Sequence, residues 1–499
     1  MLFISLAALL GQASASPAVH PRQSSARAYA SNENLSLRLT EVDAPVQGPG
    51  NPTGDTWELT IDDTDAGHKQ TVKGFGGTVT DATVTVINAL PGDQRSQLLR
   101  ELLTTEGANF SFLRHTIGAS DLSGPPAYTY DDNNNQPDPN MDGFGLGDRG
   151  IAMAEMLAEM KGINPSATIL GSAWSAPGWM KENRVSQSPS PAFMPNPDTL
   201  QQLTGEVNGN NLDTQYYDAY ARYFVEYINA YAQHGATVDA ITIQNEPLNS
   251  QGGGHVTMWQ DQNEAALVTQ QHVGPALRAA NLGNVEIWAY DHNTDRPDYP
   301  TTVMETAGEY VQAAAWHCYI WPLDWSVISD FHNRFPDKAN HMTECWTAPS
   351  TSWHQSSSST VGPLQNWVEA SGMWTLGTWT DQGDGTFGPY IPGGCATCRG
   401  LFMVNEGAGT YEFTIDYYML AQYSKFMPKG AVVLDGTGSY QYEDYTGIQS
   451  VASLNPDGTR TVVIQSTLNN DVWLTLDTAS GEQWSGSVPS NAVVTWILP

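Results

Sequence analysis

The sequence predicts a (β/α)8 TIM barrel with a side β-sandwich-like domain formed mainly by the C-terminus. Three observations point there. From about residue 70 to 425, short apolar runs alternate with longer amphipathic ones, the pattern of repeated βα units around a parallel sheet. Eight apolar runs occur in that stretch, the number that closes a barrel. After residue 428 the hydrophobic period changes to two, with Gly, Asn and Asp turns, as in antiparallel β structure.

The strands are expected at residues 73–79, 110–117, 168–174, 239–246, 285–292, 313–319, 340–346 and 372–378. Helical segments lie between them. Residues 213–235 place apolar and aromatic side chains at helical spacing, with Asp213 as the cap and Gly235 as the stop. In the C-terminal region Asn455–Gly458, "NPDG", separates two alternating runs and predicts a hairpin. Segments 35–42 and 56–63, ahead of the barrel, are expected to lend strands to the same domain.

The N-terminus has an apolar run followed by Ala13, Ser14 and Ala15, the h-region and cleavage pattern of a secretory signal, although its usual basic start is missing. The expected organisation is therefore a signal peptide at 1–15, a flexible leader at 16–36, strands joining the side domain at 37–66, the barrel at 67–427 and the C-terminal β-domain at 428–499. A secreted, extracellular chain follows. Sequons stand at Asn34 and Asn109, and Asn34 is the better acceptor because Asn109 opens an apparently buried strand.

The 499 residues include 53 acidic and 21 basic side chains, a formal charge of −32 with no basic run. That balance repels nucleic acid and anionic membrane surfaces and favours a neutral partner. No later stretch reaches the ~18 apolar residues of a membrane span, so no membrane insertion is expected. Four cysteines are too few for a disulfide scaffold. Cys395 and Cys398 fit a local disulfide better than a zinc site, because no second pair completes one. Cys318 and Cys345 remain open at this stage, bonded or free.

Reacting groups of such barrels project from the C-terminal ends of the strands. Glu246 ends the fourth predicted strand and Glu344 stands at the end of the seventh, so both carboxylates should face one cleft. Paired carboxylates of this kind hydrolyse glycosidic bonds, one as proton donor and one as nucleophile. Asn245 can bind a sugar hydroxyl, and Arg114, at the end of strand two, can keep a carboxylate ionised. His317 and Tyr319 alternate on one face of strand six, where both could reach Glu344. Trp174, Trp179, Trp346 and Trp374 fall at or just after strand ends, where indole faces can pack on sugars.

Six ordered motifs carry a resemblance: "GFGGTVTDATV" (74–84), "LRHTIGASDLS" (113–123), "GSAWSAPGWMK" (171–181), "TIQNEP" (242–247), "AWHCY" (315–319) and "MTECW" (342–346). Together they are similar to glycoside hydrolase family 30. The resemblance implies a retaining β-glycosidase with Glu246 as general acid/base and Glu344 as nucleophile. It also implies that Arg114, Asp121, Trp174, Asn245, His317, Tyr319 and Trp374 line the site of the reacting sugar, and Trp346 joins them as a substrate-binding residue. It implies no metal or organic cofactor.

Within that family the wording of "AWHCY", "MTECWT" and "GGCATCRG" is most similar to fungal secreted endo-β-1,6-glucanases. The expected partner is a neutral β-glucan, acted on by a monomer. The alternatives are another activity of the family (glucosylceramidase, β-glucosidase or endoxylanase) and, from a different class, a glycan-binding protein without catalysis. A long loop at residues 182–212 follows strand three and is expected either to shape the cleft or to be a disordered insertion.

Overall fold

The structure is a computed structural model and describes residues 25–52, 54–182, 210–249, 255–350, 352–436, 439–440 and 447–499. The signal-peptide segment and nearly all of the 182–212 loop lie outside the described residues. Eight parallel strands close a barrel: β1 (Gly74–Val79), β2 (Phe112–Ile117), β3 (Thr168–Ala173), β4 (Ala240–Thr242), β5 (Glu286–Asn293), β6 (Val311–His317), β7 (Ala339–Glu344) and β8 (Val368–Met373). Closure comes from β8 pairing with β1 through Ala370↔Gly74 to Met373↔Gly77.

The barrel interior is filled in layers. Phe112, Leu170, Ala240, Trp288, Ala313, Ala315 and Ala370 form a buried apolar cluster of their own. Two residues further along each strand the period of two returns the chain to the inside. There the layer turns polar, with Arg114, Ser172, Thr242 and His317. The apolar plug below and the polar layer above make the upper end of the barrel the reactive one.

Outer helices bury their apolar faces on the barrel. Residues Tyr217–Gln233 form an α-helix led by a 3-10 turn, where the Asp213 side chain accepts from the Gln215 N–H. The helix ends at Gly235, whose φ of +86° suits the left-handed stop that glycine takes without strain.

Two of the expected strands differ from the structure. β4 is only Ala240–Thr242, because its ladders to β3 and β5 stop at Thr242 and the chain then turns inward. β8 lies at 368–373 rather than 372–378, since Gly377–Trp379 instead pairs with Phe402–Asn405 in a separate three-stranded sheet.

The side domain is built from both chain ends. Thr56–Asp62 pairs with Val472–Thr478, and the Asn455 and Gly458 turn closes the hairpin between Ile448–Leu454 and Arg460–Ser466. The expected flexible leader is corrected here: Arg27–Asn32 is a strand, paired with Ala492–Leu498 from Arg27↔Ile497 to Asn32↔Ala492. Its buried residues are only Ala28, Ala30 and Ser31, so the apolar period was too faint to stand out from polar surroundings. The domain is fastened to the barrel by buried polar contacts. Thr495 donates to the Gln422 side-chain and backbone oxygens at 2.7 and 2.8 Å, and the Gln422 amide donates to Ser31 at 2.8 Å.

Candidate active site

At the polar end of the barrel a cleft of about 700 Å³ opens, lined by Glu246 and Glu344 together with Asp121, Trp174, Trp346 and Trp374. Each glutamate is delivered by a different device. Glu344 is the last residue of β7. Glu246 lies four residues past β4, at φ +45°, and is held there by backbone bonds to both neighbours. The Asn245 N–H reaches Ala173 O at 2.6 Å, and the Glu246 N–H reaches Asp291 O at 3.0 Å. Both carboxylates are buried, and one oxygen of each lies within 4.8 Å of the other.

Arg114 sits in the middle of β2 rather than at its end, fully buried. Its guanidinium donates to Glu344 Oε2 at 2.5 Å, Asn245 Oδ1 at 2.6 Å and Asp291 Oδ2 at 2.8 Å, and its Cζ lies 4.8 Å from the Trp174 ring centroid. The Tyr319 hydroxyl donates to the other oxygen of Glu344 at 2.9 Å. His317 departs from expectation. It lies nearer Glu246, 3.2 Å against 4.0 Å for Glu344, and its other nitrogen meets Asp291 at 2.9 Å.

Asp291 is the central residue that the sequence did not mark. It is fully buried and accepts from Arg114, Ser172, Thr242 and Thr343 as well as His317. A register irregularity between Tyr290 and His292, with φ of +82° at Tyr290 and +58° at Asp291, turns the carboxylate inward. The only trace in the sequence is the polar pair Asp291–His292 following the apolar run Ile287–Tyr290. Asn249 was missed as well; its amide donates to Glu246 Oε2 at 2.5 Å.

The remaining expected residues gather as follows. Trp174 and Trp374 pack at 5.2 Å between ring centroids, and Trp346 pairs by a backbone bridge with Trp374. Trp179 does not join them: it is fully buried and donates to Asp131 O at 2.8 Å, a packing role. Asp121 reaches the cleft on a loop braced by residues 391–398. Ile391 N–H donates to Asp121 O, and a Cβ on Gly394 would stand 2.3 Å from that same oxygen, so glycine is needed for the approach. Asp121 Oδ1 and Trp346 Nε1 are buried without a partner among the described residues, an acceptor and a donor ready for sugar hydroxyls. Cys395 and Cys398 form the expected local disulfide, and a second joins Cys318 to Cys345, tying the ends of β6 and β7 together.

Charge decides what the glutamates can do. Burial opposes charge on Asp291, but Arg114 and His317 hold its carboxyl well below the usual range. Burial likewise opposes charge on His317, yet the Glu344, Asp291 and Glu246 carboxylates push it up to about 9. At Glu344 burial raises the carboxyl, with the Glu246 and Asp291 charges adding to the rise against His317 and Arg114. At Glu246 burial is outweighed by His292, His317 and the Asn249 amide, which hold the carboxyl low. The Glu246 charge adds to the rise at Glu344, so the two carboxyls titrate as a pair.

Glu246, His317 and Glu344 present oxygen and nitrogen atoms close enough together to hold a cation. The residues do not fit one: Arg114 already neutralises Glu344, and a protonated His317 offers no lone pair.

The sign of the His317 shift sets a test. A folded pKa raised from 6.5 to about 9 contributes stability that is full below pH 6.5 and disappears as pH rises through 9. The difference in unfolding free energy between the native chain and His317→Asn should therefore shrink by about 3 kcal/mol between pH 6 and pH 9.5, followed by denaturant titration. A pH-independent difference would show that the imidazole is neutral.

Comparison with known proteins fits this geometry. The Glycosyl hydrolase family 30 TIM-barrel domain matches residues 72–368, and the family's beta sandwich domain matches residues 430–496. An endo-1,6-beta-D-glucanase of Trichoderma harzianum is 52% identical over 514 residues, covering 100% of both chains. One of Aspergillus fumigatus is 53% identical over 510 residues, covering 99% of each. Among solved structures, an endo-beta1,6-glucanase superposes with a TM-score of 0.78 at 26% identity, covering 95% of this chain and 99% of the other. Barrel, side domain, paired glutamates and full-length likeness agree: the chain belongs to glycoside hydrolase family 30.

Proposed function

We propose that the protein is a secreted endo-acting β-1,6-glucanase that works by double displacement. The observation that carries the reading is the pair of buried glutamates with oxygens within 4.8 Å of one another, close to the ~5–5.5 Å of retaining glycosidases and short of the ~6.5–9.5 Å that an inverting enzyme needs for its water. Glu344 attacks the anomeric carbon while Glu246 gives its proton to the departing oxygen. Glu246 then takes a proton from the water that releases the sugar from Glu344.

The contacts support this division of labour. Arg114 and Tyr319 each donate to Glu344, so a negative charge there is met from two sides. Asn245 spends its carbonyl on Arg114, which leaves its amide N–H groups for a sugar hydroxyl. Burial raises the Glu344 carboxyl while His292, His317 and Asn249 hold that of Glu246 low, and double displacement requires the pair's proton to stand on Glu246 when the sugar is bound.

A neutral glucan suits the cleft. No Lys or Arg is among its described lining residues, so no ammonium or guanidinium there is placed to grip the uronate of a glucuronoxylan. The β-1,6 linkage rests on the full-length likeness to the Trichoderma and Aspergillus enzymes. Secretion is supported by the signal-like first 15 residues and by two disulfides, which persist in oxidising compartments.

Endo action needs grip beyond one sugar, and the loop after β6 offers it. Two of the four exposed large hydrophobic residues among those described, Tyr319 and Trp321, lie there, and Trp321 is 65% exposed. We assign Trp321 as a platform for a more distant sugar of the chain.

The native chain should release a ladder of oligosaccharides from a linear β-1,6-glucan and leave β-1,3-glucan, glucuronoxylan and glucosylceramide uncut. Glu246→Gln should lose about 10²–10⁴-fold on the glucan, as expected for lost proton donation, and much less on an aryl glucoside whose leaving group needs no proton. Full activity of that variant on the glucan would refute the assignment of Glu246. Trp321→Ala should lose about 0.5–1.5 kcal/mol of polymer binding, read as a KM several-fold higher, with aryl glucoside hydrolysis unchanged. Equal loss on both substrates would remove Trp321 from that role.

A further inference from the structure

The loop between β2 and the helix Gly147–Ile163 carries Asp121 to the cleft and then forms a second polar cluster that the chemistry does not use. Asp131 is 1% exposed, and both of its carboxylate oxygens are buried without a hydrogen-bond partner among the described residues. The adjacent Trp179 indole donates to the Asp131 backbone carbonyl. No Lys or Arg among the described residues forms an ion pair with Asp131 or Asp138. A buried carboxylate left in this state is costly, since burial of an unpaired charge is opposed by several kcal/mol.

Side-chain oxygens of residues 133–138 stand beside it in the same loop. Asp138 is also buried, with Oδ2 accepting from the Gly143 N–H at 2.6 Å. The Asn133 amide donates to Gln136 O at 3.0 Å, leaving its carbonyl oxygen over, and Asn135 Oδ1 is buried without a partner. A Cβ on Gly143 would stand 3.2 Å from Asp138 Oδ2, 3.4 Å from Asn133 Oδ1 and 3.5 Å from Asp131 Oδ1. Three side-chain oxygens thus surround one point that glycine leaves open. The cluster needs a counter-charge, supplied either by a shared proton or by a cation.

We propose that Asp131, Asn133, Asn135 and Asp138 bind a structural calcium ion. All four donors are oxygens, two of them carboxylates and two neutral amides, the mixture that calcium takes in flexible coordination. With no imidazole or thiolate in the set, zinc and copper are disfavoured. Asp131, Asn133 and Asn135 stand at alternate positions, as the first three ligands of a calcium loop do. The loop departs from the EF-hand pattern in having Gln136 where that pattern has glycine. The ion gathers residues 131–138 against Gly143. It thereby steadies the carbonyl that holds Trp179 and the loop that presents Asp121.

The test uses the full chain, stripped with EDTA and dialysed, with melting followed as CaCl2 is added up to about 10 mM, a range that covers weak extracellular calcium sites. The midpoint should rise by about 2–4 °C, and calorimetry should show one site. Asp131→Asn should lose the response. Should that variant fail to fold, Gly143→Ala, which fills the cradle, should fold, keep aryl glucoside hydrolysis and lose the response. An unchanged native midpoint would mean that a shared proton balances the cluster and would overturn the proposal. An undiminished rise in Gly143→Ala would place the ion elsewhere and overturn it equally.

Discussion

Arg114 carries its charge at a depth that water does not reach, and such a charge persists only where acceptors surround it. It finds Asp291 on β5, Glu344 on β7 and Asn245 beyond β4. One side chain on β2 therefore fixes the relative placement of the ends of three other strands. Removing one partner from a buried ion pair costs on the order of 3–5 kcal/mol, a large share of the ~5–15 kcal/mol that holds a domain folded. Stability of the barrel mouth and aim of the nucleophile rest on the same contacts.

The rest of the site follows from that constraint. Asp291 would be intolerable beside two glutamates were it not committed to Arg114 and His317. Once committed, it fixes the imidazolium that reaches Glu246. Arg114 and His317 supply two positive charges against three carboxylates. One proton on the glutamate pair makes the cluster neutral, and one proton is what hydrolysis of a glycosidic bond requires at the start. The Cys318–Cys345 bridge sits one residue beyond His317 and one beyond Glu344, so it joins the two strand ends whose side chains share that charge.

The sequence showed most of this architecture because the signals were long or repeated. Eight apolar runs are hard to mistake, and six motifs in order carried the family likeness, including Asp121, whose loop position alone says nothing. What escaped was local. Arg27–Asn32 buries only Ala28, Ala30 and Ser31, too little apolar contrast to read as a strand. β4 stops early because Ile243–Glu246 leave the ladder to build the site, a tertiary demand that overrides an apolar run. Asp291 escaped for a related reason: period two would point it away from the layer below, and only the irregularity at Tyr290 brings it inside. The Asp131 cluster lies in a polar stretch of sequence, and the burial of Asp131 and Asp138 is visible only in three dimensions.

The central claim is that the carboxylate gripped by Arg114 and Tyr319 forms the covalent bond to sugar. The most direct measurement is to inactivate the enzyme with a 2-deoxy-2-fluoro-β-glucosyl fluoride, digest it and locate the added sugar by mass spectrometry. The account predicts stoichiometric labelling of the peptide that contains Glu344, at Glu344 itself. Labelling of Glu246, or time-dependent inactivation with the sugar on neither glutamate, would contradict it.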